Sequence, residues 1–283
     1  MGRLDGSIPN QESVLLDAFE GWLTQVKHLS PKVAYEYKRT VVKFLKAMYG
    51  TTLSLKDPDF VFKLNRFLDI PNSYTYRNTL ASLKQLFEML GIKEYLQDYK
   101  YKASMPSFSI ATPSFDEVLR FRDALGNDRI RFYFEFGIVT AIRPEHLLRL
   151  TKNLIDTRNR MINTWMKTFT KKNFFFSFYT EDLAPEVEKY LSKLTENDKL
   201  FDLASRTIQK SFRLASRKTS VKITPKMMRK FATNWLRRHG MIPEDVDAIT
   251  SHTPYSIVAR HYLDTSRIHA EYDRAMKDVN FGE

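Results

Sequence analysis

The chain contains no cysteine. Disulfides, zinc fingers of the cysteine type and thiol nucleophiles are therefore excluded. Its six histidines show no His-x-x-x-His or His-Glu pairing of metal-site kind, so neither a structural nor a catalytic metal is expected, and no cofactor. No stretch approaches the roughly 20 uncharged apolar residues of a membrane span, and Met1 to Pro9 lack the apolar core of a signal peptide. A cytoplasmic protein without a membrane partner is expected. Carboxylates are missing where they would be most expected: from Ala204 to Pro243 there are eleven Lys or Arg and no Asp or Glu. A solvated helix face normally interleaves both signs, so this stretch is shaped to meet phosphates.

The rest of the composition fits that reading. With 45 Lys and Arg against 33 Asp and Glu, the formal charge is +12, which implies a polyanionic partner. A hydrophobic fraction of 43% over 283 residues allows one large or two ordinary domains, each with its own core.

Residues Glu12 to Lys100 read as helices. Val14, Leu15, Phe19, Trp22, Leu23 and Val26 fall at helical spacing after Ser13, a candidate cap. Ser30-Pro31 opens a second helix that runs to about Met48 before Gly50. A third surrounds Phe60 to Phe67, and a fourth runs from Ser73 to Leu90, ending at Gly91. Lys38, Arg39, Lys43, Lys46, Arg77 and Lys84 give this region a basic side. Periodicity lapses between Tyr101 and Pro113, a linker. Helical pattern resumes at Ser114, where Ser114-x-x-Glu117 has the form of a capping box. Helices are expected over Phe115–Leu125, Asp128–Thr140 and Pro144–Leu150. Met161 to Tyr179 favours strands, with Thr170-Lys171-Lys172-Asn173 as the turn of a hairpin, and a period-two pattern that buries alternate side chains. Helices return from Pro185 onward. Residues 1–105 thus form one helical domain and 106–283 a second.

One constellation is not needed by a folded core. Lys226-x-x-Arg229 is followed by His252 and, ten residues later, Tyr262, with Arg143 far upstream in Ala141-Ile142-Arg143-Pro144-Glu145. Cations converging on a tyrosine hydroxyl suit attack on a phosphodiester, whose transition state is a dianionic phosphorane. Each residue also has a plainer use. Arg143 could cap a helix, Lys226 and Arg229 could be surface charges or share a carboxylate, His252 could bond to backbone, and Tyr262 could be core. Their joint order favours chemistry.

In that order the chain resembles the tyrosine recombinase (integrase) family, most closely the integrases of archaeal viruses and plasmids. The family pattern of Arg, a β-turn Lys, His-x-x-Arg, His or Trp, and Tyr is met by Arg143, a hairpin lysine, Lys226-x-x-Arg229, His252 and Tyr262. Lys226 stands where most members carry histidine, a replacement that archaeal members show. The step from His252 to Tyr262 is one residue longer than in the common bacterial pattern. For the hairpin lysine, Lys167, Lys171 and Lys172 are candidates, and counting back from Leu183 favours Lys172.

The resemblance implies a mainly α fold: a helical core-binding domain, and a mostly helical catalytic domain with a small β-hairpin or sheet. It implies site-specific recombination of DNA through a 3′-phosphotyrosyl intermediate, without metal or ATP. Tyr262 would be the nucleophile and Lys172 the proton donor to the 5′-oxygen. Arg143 and Arg229 would hold the non-bridging oxygens, with Lys226 and His252 stabilising the phosphorane. Double-stranded DNA attachment sites and a homotetramer on DNA are the implied partners, in a host cell's cytoplasm if a virus or plasmid encodes the chain. The competing readings are a type IB topoisomerase and an architectural DNA-binding protein with a vestigial site. Beyond Tyr262, Ile268, Tyr272 and Met276 form an apolar stripe on a helix started by Thr265 or Ser266, packing either on a neighbouring protomer or on its own domain.

Overall fold

The structure, a computed structural model, describes residues 9–51, 53–102, 112–163, 176–250 and 264–282. The chain divides into two compact units, Met1–Phe108 and Ser109–Glu283. Among the described residues no helix is long and apolar enough to cross a membrane.

The first unit is built from α1 (Pro9–Gly21), α2 (Pro31–Ala47), α3 (Pro58–Leu68) and α4 (Ser73–Met89). Proline at the first position starts α2 after Ser30 and α3 after Asp57, where a missing N–H costs nothing and φ is already helical. Asp57 accepts from Asp59 N at 3.0 Å, and Asn72 caps α4 by accepting from Thr75 N at 2.9 Å. Gly50 and Gly91, with φ of 74° and 71°, let the chain leave α2 and α4 through the left-handed region. Burial follows the helical period, with Val41, Phe44 and Leu45 of α2 against Leu83, Leu86 and Phe87 of α4 in one core, and Phe44 edge-on to Phe87. Ser13 is not a cap. It lies inside α1, which starts four residues earlier at Pro9 and passes into a π-helical stretch, Trp22–Val26.

The second unit contains α5 (Phe115–Asp123), α6 (Asp128–Thr140), α7 (Pro144–Leu147), β1 (Ile155–Asp156), β2 (Met161–Asn163), β3 (Phe176–Phe178), α8 (Ala184–Leu191), α9 (Ser205–Thr219), α10 (Pro225–Arg238), α11 (Pro243–Ile249) and α12 (Thr265–Met276). The capping box at Ser114 is formed in both directions, at 3.2 Å and 2.9 Å. α6 is the central helix, buried without interruption from Phe132 to Thr140. Gly137 lets α10 approach it, since a Cβ there would meet Met228 Cε at 2.7 Å.

The strands form a three-stranded antiparallel sheet in the order β1-β2-β3, with Ile162 opposite Ser177. β1 is additional to the expected hairpin, and the expected turn at residues 170–173 lies outside the described residues. Alternation fails in β3. Phe176, Ser177 and Phe178 are all buried, because α6 covers the face that a solvated hairpin would expose and Ser177 bonds to it. α7 ends at Leu147, short of Leu150, and an irregular stretch separates α8 from α9. α12 starts from Asp264, whose carboxylate accepts from Ser266 N and Arg267 N at 3.0 Å and 3.1 Å. Neither Thr265 nor Ser266 is the cap. Ile268, Tyr272, Ala275 and Met276 of α12 join the core of their own unit.

Candidate active site

The site is built at the C-terminal end of α6. The helix stops at Ala141, which takes the left-handed conformation with φ of 54°, a geometry that costs a residue with a Cβ roughly 1 kcal/mol. Two residues on, Arg143 is extended (φ −61°, ψ 138°) and occupies the N-cap position of α7, with Pro144 at the first helical position. Its side chain makes no capping bond, so capping does not account for an arginine here.

α10 supplies the second arginine. Arg229 lies one turn into the helix and is half-buried. Its Nη1 donates to the Ala141 carbonyl at 3.0 Å, and its Nη2 donates to the Thr250 carbonyl. One guanidinium thus ties the exit of α6 to the C-cap of α11, and its planar fork suits two acceptors at once. Burial, and next the like charge of Arg143, pull Arg229 down to about 10, opposed by Glu145 and Asp247. The two guanidinium groups are close enough to repel, and a bound anion would relieve that repulsion.

Lys226 is in the first turn of α10 and exposed. Lys172, with its alternatives Lys167 and Lys171, and also His252 and Tyr262, lie outside the described residues. Their flanks are described. Asn163 and Phe176, opposite each other on β2 and β3, bound the segment with the lysines. Thr250 and Asp264 bound the segment with His252 and Tyr262. The ends of the latter are tied together, because Arg267 of α12 grips buried Asp245 of α11 with two bonds of 2.8 Å.

His146 was not among the residues read from the sequence. It is buried in α7, three residues after Arg143, and burial lowers its pKa, with Arg143, Arg149 and Arg229 adding to the effect against Glu145. A neutral imidazole is the form compatible with two adjacent guanidiniums. Its spacing of three residues from Arg143 was the available signal, and it is indistinguishable in sequence from an ordinary helix residue.

A family model described as the phage integrase family matches residues 114–269. Among solved structures, a lambda integrase dimer bound to a core site is similar at TM-score 0.64 and 15% identity, covering 92% of this chain and 76% of that one. The Tn1549 transposon integrase in complex with transposon right-end DNA has TM-score 0.60 and 15% identity, covering 93% and 98%. A lambda integrase tetramer bound to a Holliday junction has TM-score 0.62 and 14% identity, covering 87% and 80%. Among curated proteins no sequence relative matches. The chain belongs to the phage integrase family of tyrosine recombinases, site-specific DNA recombinases that cut and rejoin strands.

Proposed function

We propose that this chain breaks and rejoins DNA at attachment sites through Tyr262. The Tyr262 oxygen attacks the scissile phosphorus and loses its proton, the bond from phosphorus to the 5′-oxygen breaks, and a 3′-phosphotyrosyl link stores the bond energy. Lys172 delivers the proton to the leaving 5′-oxygen. Arg143 and Arg229 hold the non-bridging oxygens as planar forks. Lys226 and His252 stabilise the phosphorane and assist the tyrosine proton, since a phenol with a solution pKa of ~10 is mostly protonated at neutral pH. The observation that carries this reading is the arginine pair: Arg229 is half-buried, and both burial and the charge of Arg143 press on it. Such a pair is stabilised by a dianion.

The unit Met1–Phe108 is the DNA-binding core-binding domain in this proposal, the substrate is a duplex attachment site, and the working assembly is a homotetramer on DNA. Lysine at 226, in place of the histidine common in the family, favours an archaeal virus or plasmid as the source, with the host cytoplasm as the place of action. Sequencing the DNA that flanks the gene tests that origin.

Incubation with DNA and denaturing electrophoresis tests the chemistry. Covalent adduct at one sequence is expected, and Tyr262→Phe should abolish it while leaving DNA affinity within a few-fold. Adduct at scattered sites would indicate topoisomerase-like relaxation, and none a binding protein. Residual adduct in Tyr262→Phe would move the nucleophile to Tyr255, since the Tyr272 hydroxyl is buried against the Val139 carbonyl. Lys172→Ala should be slow on ordinary DNA and recover on a substrate with sulfur at the 5′-bridging position, because a thiolate leaves without a proton. Recovery instead in Lys167→Ala or Lys171→Ala would move the acid to that residue.

A further inference from the structure

The last carbonyls of an α-helix have no partner within it, and helices commonly close that end with a left-handed glycine and backbone bonds. α6 ends on a left-handed alanine, and side chains from three remote elements take three consecutive carbonyls. Tyr272 of α12 donates its hydroxyl to Val139 at 3.1 Å. Ser177 of β3 donates its hydroxyl to Thr140 at 2.5 Å. Arg229 of α10 donates to Ala141 at 3.0 Å. The donors lie 133, 37 and 88 residues away along the chain.

The bonds from Ser177 and Tyr272 are fully buried, and that from Arg229 is partly so. Ser177, Thr140 and Tyr272 are each 0% exposed, so water does not readily replace a missing donor, and a carbonyl left unsatisfied there is destabilising. Burial raises the Tyr272 hydroxyl well above its ordinary range, which favours the protonated form that donates to Val139. The Thr140 hydroxyl turns back to the Phe136 carbonyl at 2.7 Å. Tyr272, Ser177 and Arg229 together therefore hold the end of α6, from which the chain reaches Arg143 two residues after Ala141.

We infer that Ser177 and Tyr272 are positioning residues for strand cleavage, acting through Arg143 and touching neither DNA nor the reacting atoms. The inference rests on the proposal that Arg143 binds the scissile phosphate. It assigns the two hydroxyls a role separate from filling the core, and it gives β3 and α12 a common reference point at the arginine that holds the phosphate. A displacement of the guanidinium by about 1 Å is enough to cost up to ~10²-fold in rate.

A double-mutant cycle on the full chain tests it. Single-turnover adduct formation, the DNA dissociation constant and thermal unfolding are measured for Tyr272→Phe, Ser177→Ala, Arg143→Ala and each hydroxyl variant combined with Arg143→Ala, well below the melting transition. Tyr272→Phe keeps the buried ring and removes only the donor, so it remains informative if Ser177→Ala folds poorly. The expected result is a rate loss of ~10-fold for each hydroxyl variant with DNA affinity within two-fold, shrinking to less than two-fold in the Arg143→Ala background. A merely structural role would lower the unfolding temperature without that coupling. Equal losses in both backgrounds, losses confined to DNA affinity, or undiminished rates in both hydroxyl variants would overturn the inference while leaving the role of Arg143 intact. A normal rate in Arg143→Ala itself would instead overturn the reading on which the inference rests.

Discussion

Two consecutive helices, α9 and α10, are both rich in Lys and Arg and free of carboxylates, yet they put their charge to different uses. In α9 the apolar side is Ile208, Phe212 and Ala215, at steps of four and three that make one stripe. Arg206, Lys210, Arg213, Arg217 and Lys218 all stay exposed. In α10 the buried side is Met228, Phe231, Ala232 and Leu236, and Arg229 follows Met228 toward the end of α6, where it meets two carbonyls and the charge of Arg143. A solvated cation contributes to a diffuse field that any phosphate feels. A half-buried, oriented one acts on a single phosphate, because the surrounding low dielectric strengthens the interaction and no reorganisation is needed.

The sharpest way to break this comparison is Arg229→Ala. Adduct formation should fall by about 10²–10³-fold, and stability should drop by about 1–3 kcal/mol, since the Ala141 and Thr250 carbonyls lose their donor. Arg229→Lys should recover little of the rate, because an ammonium cannot hold two carbonyls and a phosphate as a planar fork does. If quench-flow rates of Arg229→Ala stay near those of the parent chain, α10 is no different in kind from α9.

Burial acts on the opposite sign of charge as well. Glu135 of α6 is 5% exposed, and Arg122 approaches it only to 3.8 Å. Desolvation, reinforced by Glu186, raises its carboxyl from 4.5 to about 7 against the pull of Arg122 and Arg131. The folded state therefore keeps a proton that the unfolded chain releases, so this contribution to stability is complete below pH 4.5 and is lost as pH rises through about 7. Glu135→Gln should remove the dependence. Relative to the parent chain it should gain on the order of 2 kcal/mol between pH 4 and pH 8 in denaturant titrations. Parallel pH profiles for the two proteins would mean that the buried carboxyl finds compensation in the folded state.

The smallest effect belongs to α9. Arg213→Gln with Arg217→Gln should weaken every DNA sequence by up to ~10-fold, lower the salt slope by about two units, and leave cleavage at saturating DNA unchanged. An unaltered slope would place this face away from DNA. A changed cleavage rate would erase the distinction between the two helices.

Much of the fold was legible because its signals are local. Ser114 with Glu117, Ser30 with Pro31, and the stretch Asp128–Thr140 each set their boundaries within a few residues through caps and prolines. The errors fell where two local signals competed. Ser13 resembled a cap, but the chain was already helical from Pro9, and Asp264 outcompeted Thr265 and Ser266 because its carboxylate serves two N–H groups. Alternation in β3 failed because α6 covers its second face, which the strand's own residues do not announce.

The order of residues along the chain determined that it has a basic surface, helical architecture and a candidate set of phosphate-handling residues, because charge balance, periodicity and motif spacing are written in neighbouring positions. Tertiary structure decided which cations stay exposed and which is half-buried against the end of α6, and it gave the Ser177 and Tyr272 hydroxyls their roles as donors to the carbonyls there. Those roles depend on hydrogen bonds spanning up to 133 residues and on the desolvation that only a closed core imposes, and neither has a local signature.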